Sequence, residues 1–309
     1  MTKSSIVKKI SGLFSRSHRR SHVCLEVRPD GVAWAVGSGD LSSYSGFEEC
    51  LPAKRDSALQ ALVEKYGWSG ALVTLVLPLD QYQVFQMERP KGVEDSELND
   101  ALKWKLKDFL DFSPSDAVSD VFPFPEDASR NRGALVNVVT ARRSLVTELV
   151  ELVWASGMTL ERIDISELAL RNLVSRLDQN KRGAALVHLR EGYGQMVVCR
   201  DTVLYLSRRL DVSLQDLRDA SRQEGAIQSL ALEMQRSLDY YESQLGQVPP
   251  AVIRLVARDS SLPMASMLGA YVAASVEDLD WSMLGLDGAT DSRCLPAIGA
   301  SLPIDEVGV

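Results

Sequence analysis

The stretch from Ala184 to Val212, AALVHLREGYGQMVVCRDTVLYLSRRLDV, constrains the fold more than any other part of this chain. Its apolar runs, Ala185 to Leu189, Met196 to Cys199 and Val203 to Leu206, are broken by Glu191-Gly192-Tyr193-Gly194 and by Arg200-Asp201-Thr202. Runs this short and this rich in β-branched residues predict three antiparallel strands joined by tight turns. Glycine in the first turn permits a sharp bend, and it also lets a phosphate approach backbone N–H groups. The same plan occurs near the N-terminus. There Val23 to Val27, Arg28-Pro29-Asp30-Gly31 and Val32 to Val36 predict a strand, a turn and a returning strand. An echo at so long a spacing points to two related halves rather than to a short-period repeat.

Between the two lies a mixed segment. Ser57 to Tyr66 suits a helix, Ala71 to Leu77 a buried strand ended by Pro78, and Gln83 to Met87 a further strand. The next helix opens on Glu94, Asp95 and Glu97 and closes on Lys103, Lys105 and Lys107, which complements the helix dipole. Its apolar face runs from Leu98 to Phe109 and Leu110, and Phe112-Ser113-Pro114 stops it. Val118 to Phe124 and Ala134 to Thr140 predict strands around a polar turn containing Asp127, Ser129, Asn131 and Gly133. A helix over Ser144 to Ser156, closed by Gly157, precedes a strand over Leu160 to Ile165, and Ser166 is placed to cap a helix from Leu168 to Leu177. Residues 78–150 thus read as a small αβ insertion in a first half spanning 22–182, with a second half over 183–309. In that second half, Leu230 to Leu245 predicts a long helix, Val252 to Ala257 a strand, Ser261 to Tyr271 a helix and Cys294 to Leu302 a short apolar helix or loop.

Charge narrows the function classes. Residues 1–20 hold six Lys or Arg and no acid, so a net charge of −8 leaves −14 on the rest of the 309 residues. An acidic body argues against nucleic-acid binding, which needs a basic face to neutralise phosphates. The basic start places Ile6, Ile10, Leu13 and Phe14 at helical spacing. It reads either as a basic tail or as a short helix resting on an anionic membrane surface. Cys24, Cys50, Cys199 and Cys294 show no CxxC or zinc-type spacing and are expected as reduced core thiols. No apolar run is long enough to span a bilayer and no secretory h-region opens the chain, so a cytoplasmic location is expected.

Four segments together, in order and spacing, resemble the PilM-like group of actin-fold pilus biogenesis proteins, and most closely the MshI proteins of the mannose-sensitive haemagglutinin pilus. They are ALKWKLKDFLDFSPSDAVSDV (Ala101 to Val121), NVVTARRSLVTELVELVWASGMTLERIDISELAL (Asn137 to Leu170), the opening stretch through its SRRLDV end, and LALEMQRSLDYYESQLG (Leu230 to Gly246). The resemblance implies an actin-like α/β fold of two ribonuclease-H-like halves, with a smaller αβ subdomain inserted in the first. It further implies a protein at the inner face of the inner membrane that holds the cytoplasmic tail of a PilN-like partner in a groove between the first half and the insertion, and that connects to the pilus assembly motor.

Actin-like folds bind ATP between their halves, where two glycine-bearing turns meet the phosphates and an acidic side chain manages magnesium. Relative to that pattern, the first loop here carries Glu26, Arg28, Asp30 and Gly31, so the acid is one methylene longer and arginine stands for glycine. The second carries His188 where the resemblance places aspartate and Arg190 where it places glycine, with Gly192 and Gly194 nearby. A third loop, Ala257-Arg258-Asp259-Ser260-Ser261, has no glycine. These departures predict a degenerate nucleotide site in a scaffold without a cofactor, Arg28 and Arg190 covering the space that glycine would leave open. The alternative is an active ATP- and Mg2+-binding ATPase. A sugar-kinase relative would need the missing glycines, and a hydrolase is unsupported because Ser207 lacks a G-x-S-x-G context. For a peptide tail, apolar anchors are expected at Val84, Phe85, Trp104 and Phe109.

Overall fold

The computed structural model describes residues 21–37, 44–129, 133–178, 182–258 and 262–302. Three strands, β1 (His22–Arg28), β2 (Gly31–Val36) and β3 (Tyr44–Glu49), form an antiparallel meander followed by α1 (Arg55–Tyr66) and β4 (Leu72–Leu77). Next come β5 (Tyr82–Glu88), α2 (Asp95–Leu106), β6 (Ala117–Pro123), β7 (Leu135–Arg142), α3 (Arg143–Ala155), β8 (Thr159–Ile165) and α4 (Ser166–Leu177). A second meander, β9 (Ala184–Leu189), β10 (Gly194–Arg200) and β11 (Val203–Leu210), is followed by α5 (Leu214–Arg218), α6 (Gln223–Ser243), β12 (Val252–Ala257), α7 (Met264–Gly269), β13 (Ser275–Asp278) and α8 (Leu295–Ser301).

The two five-stranded sheets match strand for strand: β3-β2-β1-β4-β8 and β11-β10-β9-β12-β13, each with three antiparallel strands continued by two parallel ones. Strands β1 and β9 sit at the centre and are buried along nearly their whole length. That is why both appear in the sequence as unbroken apolar runs rather than alternating ones. Helices α4 and α8 lie between the sheets. One core joins Cys24, Ala33 and Val76 of the first sheet to Leu186, Val197 and Cys199 of the second through Ala169, Leu173 and Ile298 of these helices. Where they cross, Gly299 comes so close to α4 that a Cβ there would lie 2.1 Å from the Ala169 carbonyl oxygen, and Asn172 Nδ2 donates to Gly299 O at 3.0 Å.

The third sheet, β5-β7-β6, comes from residues between β4 and β8. Helix α2 covers one face, burying Leu102 and Leu106 on Val136 and Val138. After β6 the chain reaches across to the second sheet. Phe124 and Ala128 are buried among Tyr205, Leu206 and Leu245, and the Asp127 carboxylate accepts hydrogen bonds from Arg200, Tyr205 and Gln247.

Several local expectations shift. Strand β3 lacks a clear apolar signal because its residues are only half-buried at a sheet edge. Helix α6 begins at Gln223, well before Leu230, because Ala226 and Ile227 extend the buried stripe of Leu230, Met234, Leu238 and Tyr241. Helix α2 ends at Leu106, short of Phe109. Ser166 does not cap α4: it is the first helical residue, and its hydroxyl donates to Gln195 Oε1 of the second sheet at 2.7 Å. Gly157 does follow α3 in the left-handed conformation, at φ 84°. Three cysteines are buried and Cys50 is half-buried, all four unpaired. The basic start at 1–20, Asn131 of the polar turn, the expected helix start at Ser261 and the end of the chain from 303 lie outside the described residues.

Candidate functional site

The β1–β2 and β9–β10 turns face each other across the junction of the two sheets, and their charged side chains meet. Glu26, fully buried on β1, takes Arg190 Nη1 at 2.7 Å on one carboxylate oxygen and lies 3.6 Å from Arg28 Nη1 on the other. Arg28 also donates from Nε to Asp30 Oδ1 at 2.9 Å, and its carbonyl accepts from Arg55 at 2.8 Å. Burial, the largest single effect, works against the charge of Arg190, but Glu26 together with Tyr193 and Asp80 more than offsets it and raises the pKa. For Asp30, burial opposes ionisation while the hydrogen bond and charge of Arg28 hold the pKa below the usual carboxylate value. Tyr193 stacks beneath Arg190 and Arg209, at 5.2 and 4.3 Å from its ring centre.

The glycines serve packing. A Cβ at Gly31 would lie 2.2 Å from Glu48 O, so the backbone of β3 occupies the space beside it. Gly194 is not in the turn at all: it is the first residue of β10, buried where a Cβ would press on Leu189 and Leu210 at 3.0 and 3.2 Å. Gly192 remains in the turn with open space around it, and the turn is closed by Arg190 N–H donating to Tyr193 O at 2.8 Å. His188 points into the same junction. Burial, then the charges of Arg190 and Arg28, push its pKa well below the ordinary value, so it is a neutral imidazole. The cavity bounded by Arg28, His188, Arg190, Arg258, Ser292 and Arg293 measures about 10 Å3, room for about one water. Of the third loop, residues 259–261 lie outside the described residues. Among the described residues no group of three or more His, Cys, Asp or Glu is placed to hold a metal ion.

The four apolar anchors expected for a peptide do not form one surface. Val84 and Phe85 are adjacent in β5 and so point to opposite faces of the sheet. Val84 packs towards the first sheet's core, whereas Phe85 joins the α2 side and lies 5.8 Å from Phe109. Phe109 and Trp104 are 58% and 83% exposed beyond it. A different feature lies between the third sheet and the first: a groove of about 440 Å3 whose two walls are the edge strands β6 and β8. Leu77, Val118, Phe122, Ile163, Ile165 and Leu168 make it apolar, and Val118 and Ile163 are still 36% and 38% exposed there. Sequence reasoning missed these residues. The available signal was the mixture of apolar and charged residues in TLERIDI and AVSDVFP, which marks edge strands with one open side.

Known structures share this architecture. A PilM–PilN type IV pilus biogenesis complex superposes with a TM-score of 0.69 at 20% identity, over 91% of this chain and 97% of the other. The cytoplasmic domain of EpsL, an inner membrane component of the type II secretion system of Vibrio cholerae, gives 0.56 at 14% identity over 91% and 94%. A Bacteroides thetaiotaomicron protein with an actin-like ATPase fold and unknown function gives 0.51 at 10% identity over 88% and 98%. The fold is actin-like. No protein-family model matches the sequence, and no curated protein does. Among the described residues no helix is long and apolar enough to cross a membrane.

Within the actin-like fold, one buried acid links the third sheet to the second. Glu167, in the first turn of α4, accepts a hydrogen bond from the Tyr82 hydroxyl of β5 and lies within hydrogen-bonding reach of Ser207 on β11. Burial raises its pKa from 4.5 to about 7 against the opposing effect of these hydrogen bonds. An acid raised in this way favours folding below pH 4.5, where both states are protonated, and that advantage is lost as the pH rises to about 7. Glu167→Gln keeps an acceptor for Tyr82 and does not titrate. Its stability relative to wild type is expected to improve by on the order of 2 kcal/mol between pH 4.5 and 7.5 in urea titrations. His188 has the opposite sign, losing stability as pH falls below 6.5, but it cancels because both proteins carry it. A flat difference over this range would show that Glu167 is ionised throughout.

Proposed function

We propose that this protein is a cytoplasmic actin-like scaffold of a type IV pilus assembly complex, of the mannose-sensitive haemagglutinin type, working at the inner face of the inner membrane. It holds the cytoplasmic tail of a PilN-like inner-membrane protein and connects to the assembly motor. The observation that carries this reading is the apolar groove between β6 and β8, an opening between two sheet edges suited to an extended peptide. The shared fold with a PilM–PilN complex supports it. The tail is expected to bind at micromolar concentration in fluorescence anisotropy. Ile163→Arg, on the groove wall, should weaken it at least about tenfold by putting a bulky charged side chain in place of an apolar contact. Trp104→Ala should leave it within about twofold, since Trp104 lies away from the groove. No retention of the tail at micromolar concentration sinks the scaffold reading.

The scaffold works without nucleotide. The support for this is that Arg190 is hydrogen-bonded to Glu26, with Arg28 3.6 Å from the same carboxylate, beside a cavity of about 10 Å3. Calorimetry with Mg-ATP is therefore expected to give no binding heat. A micromolar, magnesium-dependent affinity would establish the alternative, an ATP-binding member of the same machinery.

A further inference from the structure

Several backbone groups on the two strand edges that wall the groove are already held by side chains, and the manner of that hold says what kind of peptide displaces them. On β6, Arg143 Nη2 donates to Ala117 O at 3.1 Å, Asn99 Nδ2 donates to Ser119 O at 2.7 Å, and Val121 N–H donates to the carboxylate of its own neighbour Asp120 at 2.8 Å. These fall on alternate residues, the pattern of backbone groups facing away from a single neighbouring strand. On β8 the same device recurs: Ile165 N–H donates to Asp164 Oδ1 at 2.8 Å. Unpaired edge groups invite another strand, and side-chain closure of this kind suppresses indiscriminate pairing.

Asp120 and Asp164 both line the groove, and among the described residues no lysine, arginine or histidine does. The nearest cations on the Asp164 side, Arg162 and Arg171, act on it through charge, against the larger effect of burial that raises its pKa, but their hydrogen bonds go elsewhere. Arg162 donates to Thr74 Oγ1 at 3.1 Å and to Ala300 O at 3.3 Å, while Arg171 donates to Asn172 Oδ1 at 3.0 Å. A strand laid into the groove brings its own carbonyls to Val121 N–H or Ile165 N–H and so displaces the carboxylate that held it. The freed carboxylate then lies at the edge of the peptide, where a cation carried by the peptide can take the place of the backbone N–H it has lost.

We infer that the groove selects an extended apolar segment carrying a lysine or arginine, whose side chain is taken by Asp120 or Asp164 as it leaves the strand edge. This rests on the groove reading proposed above and adds the charge requirement to it.

The test uses labelled peptides with a common alternating apolar core, in which lysine, norleucine or glutamate is scanned along the polar positions, together with the PilN-like tail. A photocrosslinker on each peptide reports where it sits. At one position, the lysine peptide is expected to bind about tenfold more tightly than the norleucine peptide, and the glutamate peptide more weakly than both. The preference should shrink to about twofold in an Asp120→Asn/Asp164→Asn double variant and fall with added salt, while norleucine binding is unchanged. Asparagine keeps an oxygen for the backbone N–H, so loss of folding is not expected, and a matching thermal melt checks it. Equal affinity for lysine and norleucine at every position, with crosslinks on β6 and β8, overturns the charge requirement and leaves the groove reading standing. If neither peptides nor tail bind, or all crosslinks fall elsewhere, the groove reading fails and the charge requirement with it.

Discussion

Glu26→Ala is expected to lower folding stability by about 3–5 kcal/mol, the usual consequence of removing one partner from a buried ion cluster. Glu26 is fully buried and stands between Arg190 on the second sheet and Arg28 on the first. Without it buried Arg190 loses the carboxylate it is hydrogen-bonded to, and buried Arg28 is left with Asp30, 2.9 Å from its Nε. Equilibrium urea unfolding followed by the fluorescence of Trp34 and Trp68, both buried in the first half, reads the change directly. Adding Arg190→Leu should recover at least about 1 kcal/mol of the loss, since the penalty lies in the stranded charge and not in a lost attraction. A single-variant loss below about 1 kcal/mol would mean that water reaches the junction and that the cluster is not a buried one. The same variant is unsuitable as a test of ATP hydrolysis, because any lost activity would be indistinguishable from lost folding.

Gly299→Ala opposes two effects of known size. On helix propensity alone, alanine in place of glycine inside α8 would stabilise by about 1 kcal/mol. The added Cβ, however, would lie 2.1 Å from the Ala169 carbonyl oxygen and 2.7 Å from its carbon, both backbone atoms of α4. Helices held from both sides by β-sheets have little room to separate, and overpacking of this kind costs about 1–3 kcal/mol, occasionally more. A net loss of about 2 kcal/mol or more is expected in urea unfolding. Gly225→Ala in α6, where nothing lies within 4 Å of the new Cβ, is the control and should show propensity alone, a gain of up to about 1 kcal/mol. If both variants gain stability, the close crossing of α4 and α8 is wrong.

The two variants mark the boundary between what local sequence can specify and what it cannot. Central strands β1 and β9 were legible as apolar runs, and the turn after each was legible from glycine and charge, because strand and turn preferences are set by neighbours within a few residues. The repeat of one plan in both halves was legible for the same reason, while the actin-like architecture came from the resemblance to PilM-like proteins. The candidate nucleotide positions could be named, but not what they do. Gly194 proved to be a packing residue of β10, and Gly31 makes room for β3, a strand whose half-buried edge position left little apolar signal.

The groove was less legible still. Adjacent residues such as Val84 and Phe85 were grouped as one surface, although the alternation of strand side chains places them on opposite faces. Its actual walls, Val118 to Phe122 and Ile163 to Ile165, belong to two different sheets and become neighbours only when the insertion folds back on the first half. The sequence by itself determined the central strands, the turns after them and the doubling of the plan, since each is a short-range property of the chain. Only the tertiary structure decided that Glu26 meets Arg190, 164 residues away, and that two sheet edges face each other across an apolar gap. Such contacts depend on how sheets and helices pack, and side-chain periodicity carries no record of which distant partner a buried charge or an open edge will find.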